Sequence, residues 1–343
     1  MPVLFPSEAK ITPSFSEPEF VVTYAQASGA FAVLPEGKPR VKLGSEDMAV
    51  YINQLDIRTE VQSGQSPMNL LPSASLVVSF AGTPTYLART RAIWDHHDTA
   101  RGGDFGLSVP AALDLGARQG IFQQMRTALL YGYNAANGEG LLNTVGATTV
   151  SLPPDSYGNT TVRTYDNGQM ALWLLGEIVA LKSGMYQSGG NIHNKIVVIS
   201  PQRIFLQFAI ANIVQVTSYQ RPGAGTSTTA DVVKVTMREN GDTFEWHFDD
   251  TLIGQGAGGT DVVLLTMPEI EAPDLPGVIN TNIFGSDIRP QLKAVNLMYA
   301  DMAAPLKIPT PIPDGAITEV HELRITSGWG IRSAGIYILT MTY

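Results

Sequence analysis

The chain has 343 residues, of which 44% are hydrophobic and only 15% charged; it carries 33 Gly, 22 Pro, no Cys and a formal net charge of −9 at pH 7. That length has room for roughly two domains, and the Gly and Pro content points to turns and extended segments rather than helical bundles. The acidic balance argues against a protein whose main task is gripping phosphates, and the missing cysteines remove disulfides, thiolate metal sites and cysteine nucleophiles together.

Residues 1–44 carry scattered Pro13, Pro18, Pro35 and Pro39 with little periodicity, which reads as an extended arm. It holds Phe15, Phe20, Val21, Val22 and Phe31, apolar groups that call for cover by another surface. The start, MPVLFPSEAKITPSF, lacks a basic region followed by an apolar run, and no stretch reaches the ~18 apolar residues of a membrane span, so a cytosolic, non-membrane protein is expected. From 45 to 106 the runs MAVYINQLDIRTEV and SASLVVSFAGTPTYLARTRAIWD alternate, with Gly82-Thr83-Pro84 as the expected turn of a long hairpin. Arg89 and Arg91 look exposed on it, and a projecting two-stranded hairpin is marginal alone, so it is expected to lie against another chain.

Ser108 is the predicted N-cap of a long helix with Pro110 in its first turn. Leu115, Phe122, Met125 and Leu129 recur at helical spacing over about 25 residues, roughly 36 Å. Gly116 and Gly120, one turn apart, each cost about 1 kcal/mol against Ala, which predicts close approach of another backbone or a bend. The loop YGYNAANGEGLLNTVGATTV follows, from Tyr131 to Val150. A phosphate-cradling loop follows a strand and opens a helix; here a helix comes first and β-branched residues follow, so the loop turns the chain and binds no phosphate.

Asp166 is the expected cap of a second helix, with Met170, Trp173, Leu174, Ile178 and Leu181 on one face and Gly184 at its end. KIVVIS reads as a buried strand, and Ser200-Pro201 starts a third helix. DVVKVTM and TFEWHF read as a hairpin around Asn240-Gly241; DVVLLTM reads as a strand, and the chain ends in two strands turning near Ser327-Gly328.

No catalytic constellation assembles. In WDHHD, a strand would place Asp95 and His97 on one face and His96 on the other, two ligands where zinc needs three or four, so a solvated or interface-lining loop is expected. Gly254, Gly256 and Gly259 match G-x-G-x-x-G but precede a strand, which reads as a flexible loop. Asp249-Asp250 reads as a solvated turn, and Glu269 and Glu271 lack a positioning partner. No catalytic, cofactor or metal residue is expected.

Leu129-Leu130-Tyr131-Gly132 followed by Gly138-Glu139-Gly140-Leu141-Leu142-Asn143, then ALWLLGEIVALKSGMYQ, IVVISPQRIFLQFA and EVHELRITSGWGIRSAGIYIL, resemble in this order the major capsid proteins of tailed bacteriophages. The resemblance implies the Hong Kong 97-like α+β fold: N-terminal arm 1–44, extended β-hairpin loop 45–106, peripheral domain with a long spine helix 107–150, axial domain 151–315, and C-terminal strands 316–343 returning to the peripheral domain. It implies self-assembly into pentamers and hexamers of an icosahedral shell around double-stranded DNA, held without sequence-specific contacts, with portal, scaffold and decoration proteins as partners. The location would be the virion, after synthesis in the host bacterial cytoplasm. Asn137-Gly138 would supply a positive φ, Gly140 close packing, and Leu141, Leu142 and Asn143 the turn packed on the helix. Phe15, Phe20, Phe31, Arg89 and Arg91 are the candidate inter-subunit contacts. Some family members cross-link through a lysine of the extended loop; 45–106 contains none, which implies a non-covalent shell. Two other readings are an encapsulin-like nanocompartment of similar fold and a β-rich enzyme or binding module using Asp95 and His97.

Overall fold

A computed structural model of the chain describes residues 28–35, 41–58, 75–104, 106–155, 157–165, 167–185, 194–210, 228–269, 296–313 and 315–343. In chain order its elements are β1 (Val41–Lys42), β2 (Ala49–Arg58), β3 (Ser75–Trp94), α1 (His96–Asp104), α2 (Val109–Leu130), β4 (Thr148–Ser151), α3 (Asn167–Met185), β5 (Lys195–Ser200), α4 (Gln202–Ile210) and α5 (Thr229–Glu239). Strands β6 (Thr243–Phe248), β7 (Asp261–Thr266), β8 (Leu297–Met298), β9 (Ala300–Asp301), β10 (Leu306–Pro311), β11 (Ile317–Thr326), β12 (Trp329–Gly330) and β13 (Ile336–Met341) complete it.

The central sheet has the order β4-β13-β7-β5-β6, with β13 and β7 antiparallel and β5 and β6 parallel. Its two faces are both covered. Ile196, Val198, Val263, Leu265, Leu339 and Met341 pack under Met170, Leu174, Ile178 and Leu181 of α3, with Phe208 of α4 and Val233 of α5. The alternate residues Val197, Ile199, Val262, Leu264 and Ile338 pack on Leu129 and Leu130 at the end of α2, with Leu141 and Tyr299. Burial on both faces is why KIVVIS and DVVLLT are unbroken apolar runs; each such side chain contributes about 1.5–3 kcal/mol.

The second sheet, of order β1-β9-β11-β3-β2 with β10 pairing the far end of β11, carries α2 across one face. Strand β3 is continuous over 20 residues, roughly 65 Å. Its first half pairs with β2, from Ser75↔Arg58 to Pro84↔Ala49, and its second half with β11, from Thr85↔Thr326 to Trp94↔Ile317. Gly82-Thr83-Pro84 is therefore not the hairpin turn. It marks the place where β3 changes partner, and there a residue without an N–H can be accommodated. The mate of β3 in the hairpin is β2, and the connecting residues 59–74 lie outside the described ones.

Two other expectations are corrected. DVVKVTM is helical: Thr228 caps α5 in a reciprocal box with Asp231, and Ala230, Val233 and Met237 are buried at helical spacing. Packing on α3 and α4 overrides the β preference of three valines. Asn240-Gly241 ends that helix, Gly241 at φ 81, and delivers β6 parallel to β5. The closing strands β11 and β13 do not turn on each other either. They belong to different sheets, and Ser327-Gly328 carries the chain between them across the end of α2. The predicted cap Asp166 lies outside the described residues; α3 runs through Gly184 to Met185.

Candidate functional site

Helix α2 begins as its sequence predicts, with Ser108 in extended conformation at the N-cap and Pro in the first turn. At 22 residues it spans about 33 Å. The side that meets the sheet is Ile121, Met125, Ala128 and Leu129, against Ala88, Leu323 and Ile325. Phe122 packs on Phe31, ring centroids 5.4 Å apart, so Phe31 lies on its own subunit. Leu115 does not share the buried stripe: two residues from Ala117, it is turned some 200° away and is 50% exposed. Among the described residues, nothing beyond the helix's own backbone lies within 4 Å of a Cβ built on Gly116 or Gly120. Gly116→Ala and Gly120→Ala should each raise the stability of the isolated chain by about 0.5–1 kcal/mol, read as a higher urea midpoint. A lower midpoint would show that the helix needs those glycines within the subunit.

At the end of α2 three backbone segments cross. Gly132 (φ 67) and Gly140 (φ 87) face each other so closely that a Cβ on either would lie 2.4 Å or less from backbone atoms of the other's neighbourhood. Gly328 lies across them, its own Cβ position 2.3 Å from Leu129 O. Gly140 N–H donates to Gly328 O at 2.9 Å, and Gly328 N–H to Ala128 O at 3.1 Å. Asn143 Nδ2 donates to Tyr131 O at 2.7 Å and Glu139 O at 3.2 Å, and fastens the loop across the crossing. Leu141 is fully buried and Leu142 partly buried in the same apolar cluster. Asn137 ends a short 3-10 turn and Gly138 follows at φ 73.

The group that gathers this junction is Glu139, 7% exposed. Its carboxylate accepts from Tyr86 OH of β3 at 2.8 and 2.9 Å, from Ser327 Oγ at 3.0 Å, and from Asn134 N–H at 3.1 Å. Burial first, then the Glu139 carboxylate, pushes the Tyr86 hydroxyl up to about 12. The hairpin strand, the glycine loop and the crossover between the sheets thus meet on one carboxylate beyond the end of the long helix. Sequence reasoning missed Glu139, Tyr86 and Ser327; an acid between two glycines in an otherwise uncharged loop was the available signal.

Other sequence candidates fall apart as chemistry. WDHHD is a helix start and not a strand: Asp98 N–H donates to Asp95 Oδ1 at 2.7 Å, which caps α1, and His96 and His97 stack exposed at 3.8 Å. Asp95 acts as the cap of the helix that holds His97. Asp249 is no solvated turn but 1% exposed, and accepts from Ser28 Oγ and Thr251, while Asp250 caps α4 through Gln202 N–H at 2.8 Å. The glycines at 254–259 close on themselves, Gly256 N–H donating to Thr260 O at 2.8 Å, with Gly254 N–H held by Asp261. Arg89 pairs with Glu322 of the same chain at 2.8 Å, and Arg91 is exposed. Phe15, Phe20 and Glu271 lie outside the described residues. No helix among the described residues is long and apolar enough to cross a membrane. One described group has the composition of a cation site: Asp114, Glu319 and His321, donor atoms within 4.8 Å of one another.

A cleft of about 490 Å³ opens beside α2, lined by Ile121, Phe122, Met125, Leu323, Arg118 and Asp301 among others. Burial raises the Asp301 carboxyl to about 6. A raised acid pKa means the native state holds its proton where the unfolded chain has released it, so stability falls as pH rises from about 4 to 6. Asp301→Asn should be more stable than the parent at pH 7, by on the order of 1 kcal/mol, with the gain gone below about pH 4. Denaturation at the two pH values checks this; an equal gain at both contradicts it.

No protein-family model and no curated protein matches the sequence. Solved structures do match, nearly end to end. The capsid of Myoviridae phage XM1 aligns over 96% of this chain and 96% of its own at 9% identity and TM-score 0.66. The capsid of cyanophage P-SCSP1u aligns over 96% and 93% at 10% identity and TM-score 0.56, and the capsid of an empty GTA particle over 97% and 96% at 9% identity and TM-score 0.55. The long helix against a hairpin-bearing sheet, joined to a second sheet under three helices, is the Hong Kong 97-like α+β fold of tailed-phage major capsid proteins.

Proposed function

We propose that this chain is the major capsid protein of a tailed double-stranded DNA bacteriophage, a structural and non-enzymatic tile of the head shell. The observation that carries the reading is the fold likeness to phage capsids over 96% of the chain. The hairpin supports it: among the described residues β2 is the outer strand of its sheet, and the first half of β3 pairs with β2 alone. Such a two-stranded arm has little stability by itself and gains it on a neighbour's surface.

The tile then divides into arm 1–44, extended loop 45–106, peripheral domain 107–150 with strands 316–343, and axial domain 151–315. Copies associate as pentamers and hexamers into a non-covalent icosahedral shell, with Arg91, Leu115, Gly116 and Gly120 among the groups facing neighbours, and with portal, scaffold and decoration proteins as partners. The chain is made in the host bacterial cytoplasm and ends in the virion, enclosing DNA without sequence-specific contacts.

Replacing residues 55–78 by Asn-Gly keeps the Gln54↔Ser79 pair and closes the hairpin early. The shortened chain should stay soluble and folded yet form no shells under the electron microscope. Normal shells from it would remove the hairpin from the assembly mechanism.

A further inference from the structure

We infer that Asp114, Glu319 and His321 form a binding site for a divalent transition-metal ion, pinning the long helix α2 to strand β11. Residues two apart on a strand share a face, so β11 presents Glu319 and His321 together, and α2 brings Asp114 to the same place. His321 is fully buried, and neither of its ring nitrogens has a hydrogen-bond partner among the described residues. A buried polar group left so is costly, and calls for a ligand. Nδ1 lies 3.7 Å from Asp114 Oδ1, and Nε2 lies 3.5 Å from Glu319 Oε1. Those separations are long for hydrogen bonds, and since the ring nitrogens diverge one ion takes one of them; that nitrogen, one Asp114 oxygen and one Glu319 oxygen lie within 4.8 Å of one another, near enough for a small adjustment to reach the about 3.4 Å between neighbouring donors of a tetrahedral ion.

The site already attracts a cation. Lys307, the register partner of His321 on β10, places Nζ 2.6 Å from Asp114 Oδ1 and 3.9 Å from Glu319 Oε1. Arg118 engages the other oxygen, Oδ2, at 3.0 Å and leaves Oδ1 for the ion. Lys307 stands on a strand whose six residues are all exposed, and its flexible stem lets the ammonium swing outward as a metal enters. One imidazole with two carboxylates suits zinc, cobalt or nickel better than magnesium or calcium, which prefer oxygen alone. The ammonium is a competitor, so its removal should tighten binding.

The test titrates the untagged full chain, stripped with a chelator, with Zn²⁺ by calorimetry and with Co²⁺ by visible absorption. The parent should take up one ion per chain at a site whose cobalt spectrum shows nitrogen and oxygen donors. Lys307→Met should bind on the order of tenfold tighter, His321→Gln should lose the site, and the doubly substituted His96→Asn/His97→Asn chain should keep it. Because His321→Gln removes a core side chain, the gain in Lys307→Met is the decisive arm. No saturable binding by parent and Lys307→Met alike, equal affinity of the two, or loss of the ion in the His96/His97 variant would overturn the assignment.

Discussion

Gly140→Ala is expected to destabilise the subunit by about 3 kcal/mol or more. Gly140 holds φ 87 and ψ 145, a region that side-chain-bearing residues avoid. A methyl group there would also lie 2.3 Å from Tyr131 C and 2.4 Å from Gly132 N. Both atoms are backbone, and the backbone here is locked by the bond from Gly140 to Gly328 and by Asn143. Relief would have to come from moving the end of α2, where Leu129 and Leu130 are fully buried. Gly138 is the internal control. At φ 73 and ψ 20 it sits in the left-handed region that Asn tolerates, and its Cβ would meet the side chain of exposed Val145. Gly138→Asn should therefore cost no more than about 1 kcal/mol. Urea denaturation of the two variants ranks them; a parent-like midpoint for Gly140→Ala would mean that the three segments do not cross as described.

Glu139→Ala is expected to cost about 3–4 kcal/mol, because it strands three donors in a buried junction. Tyr86, Ser327 and Asn134 would each lose their acceptor, and water has little access to a carboxylate only 7% exposed. Tyr86→Phe alone removes one donor and should cost about 1–2 kcal/mol. Added to Glu139→Ala it should cost less than on its own, since the hydroxyl would already lack a partner. Strict additivity in that double-mutant cycle would contradict the shared network. The tyrosine offers a second readout. Its folded pKa is raised, so the unfolded chain releases the proton first and stability falls between about pH 10 and 12. Tyr86→Phe should flatten that decline.

The long helix, the buried strands β5 and β7 and the Pro-started helix α4 are legible because their signals are local: a cap, a proline, a run of β-branched residues. Partnership is not local. Both halves of β3 read as strand, but Gly82-Thr83-Pro84 looked like a turn between them, because a strand that changes partner at a proline carries the same residues as a hairpin tip. Val232, Val233 and Val235 signalled a strand until α3 and α4 supplied a surface for one helical face. Leu115 fitted the period of the helix, yet the face toward the sheet is set by Ile121, Met125 and Ala128. The glycine loop announced a special backbone, whereas the meaning of Glu139 depended on Tyr86 and Ser327, 53 and 188 residues away in sequence. Likewise Asp114, Glu319 and His321 share no motif; only the docking of α2 on β11 joins them.

The most direct measurement of the central claim is cryo-electron microscopy of what the purified full chain forms in solution. The account predicts closed icosahedral shells in which each β2–β3 hairpin extends over an adjacent copy. A population that remains a 36.9 kDa monomer, with the hairpin folded onto its own body and no larger particles, would contradict it.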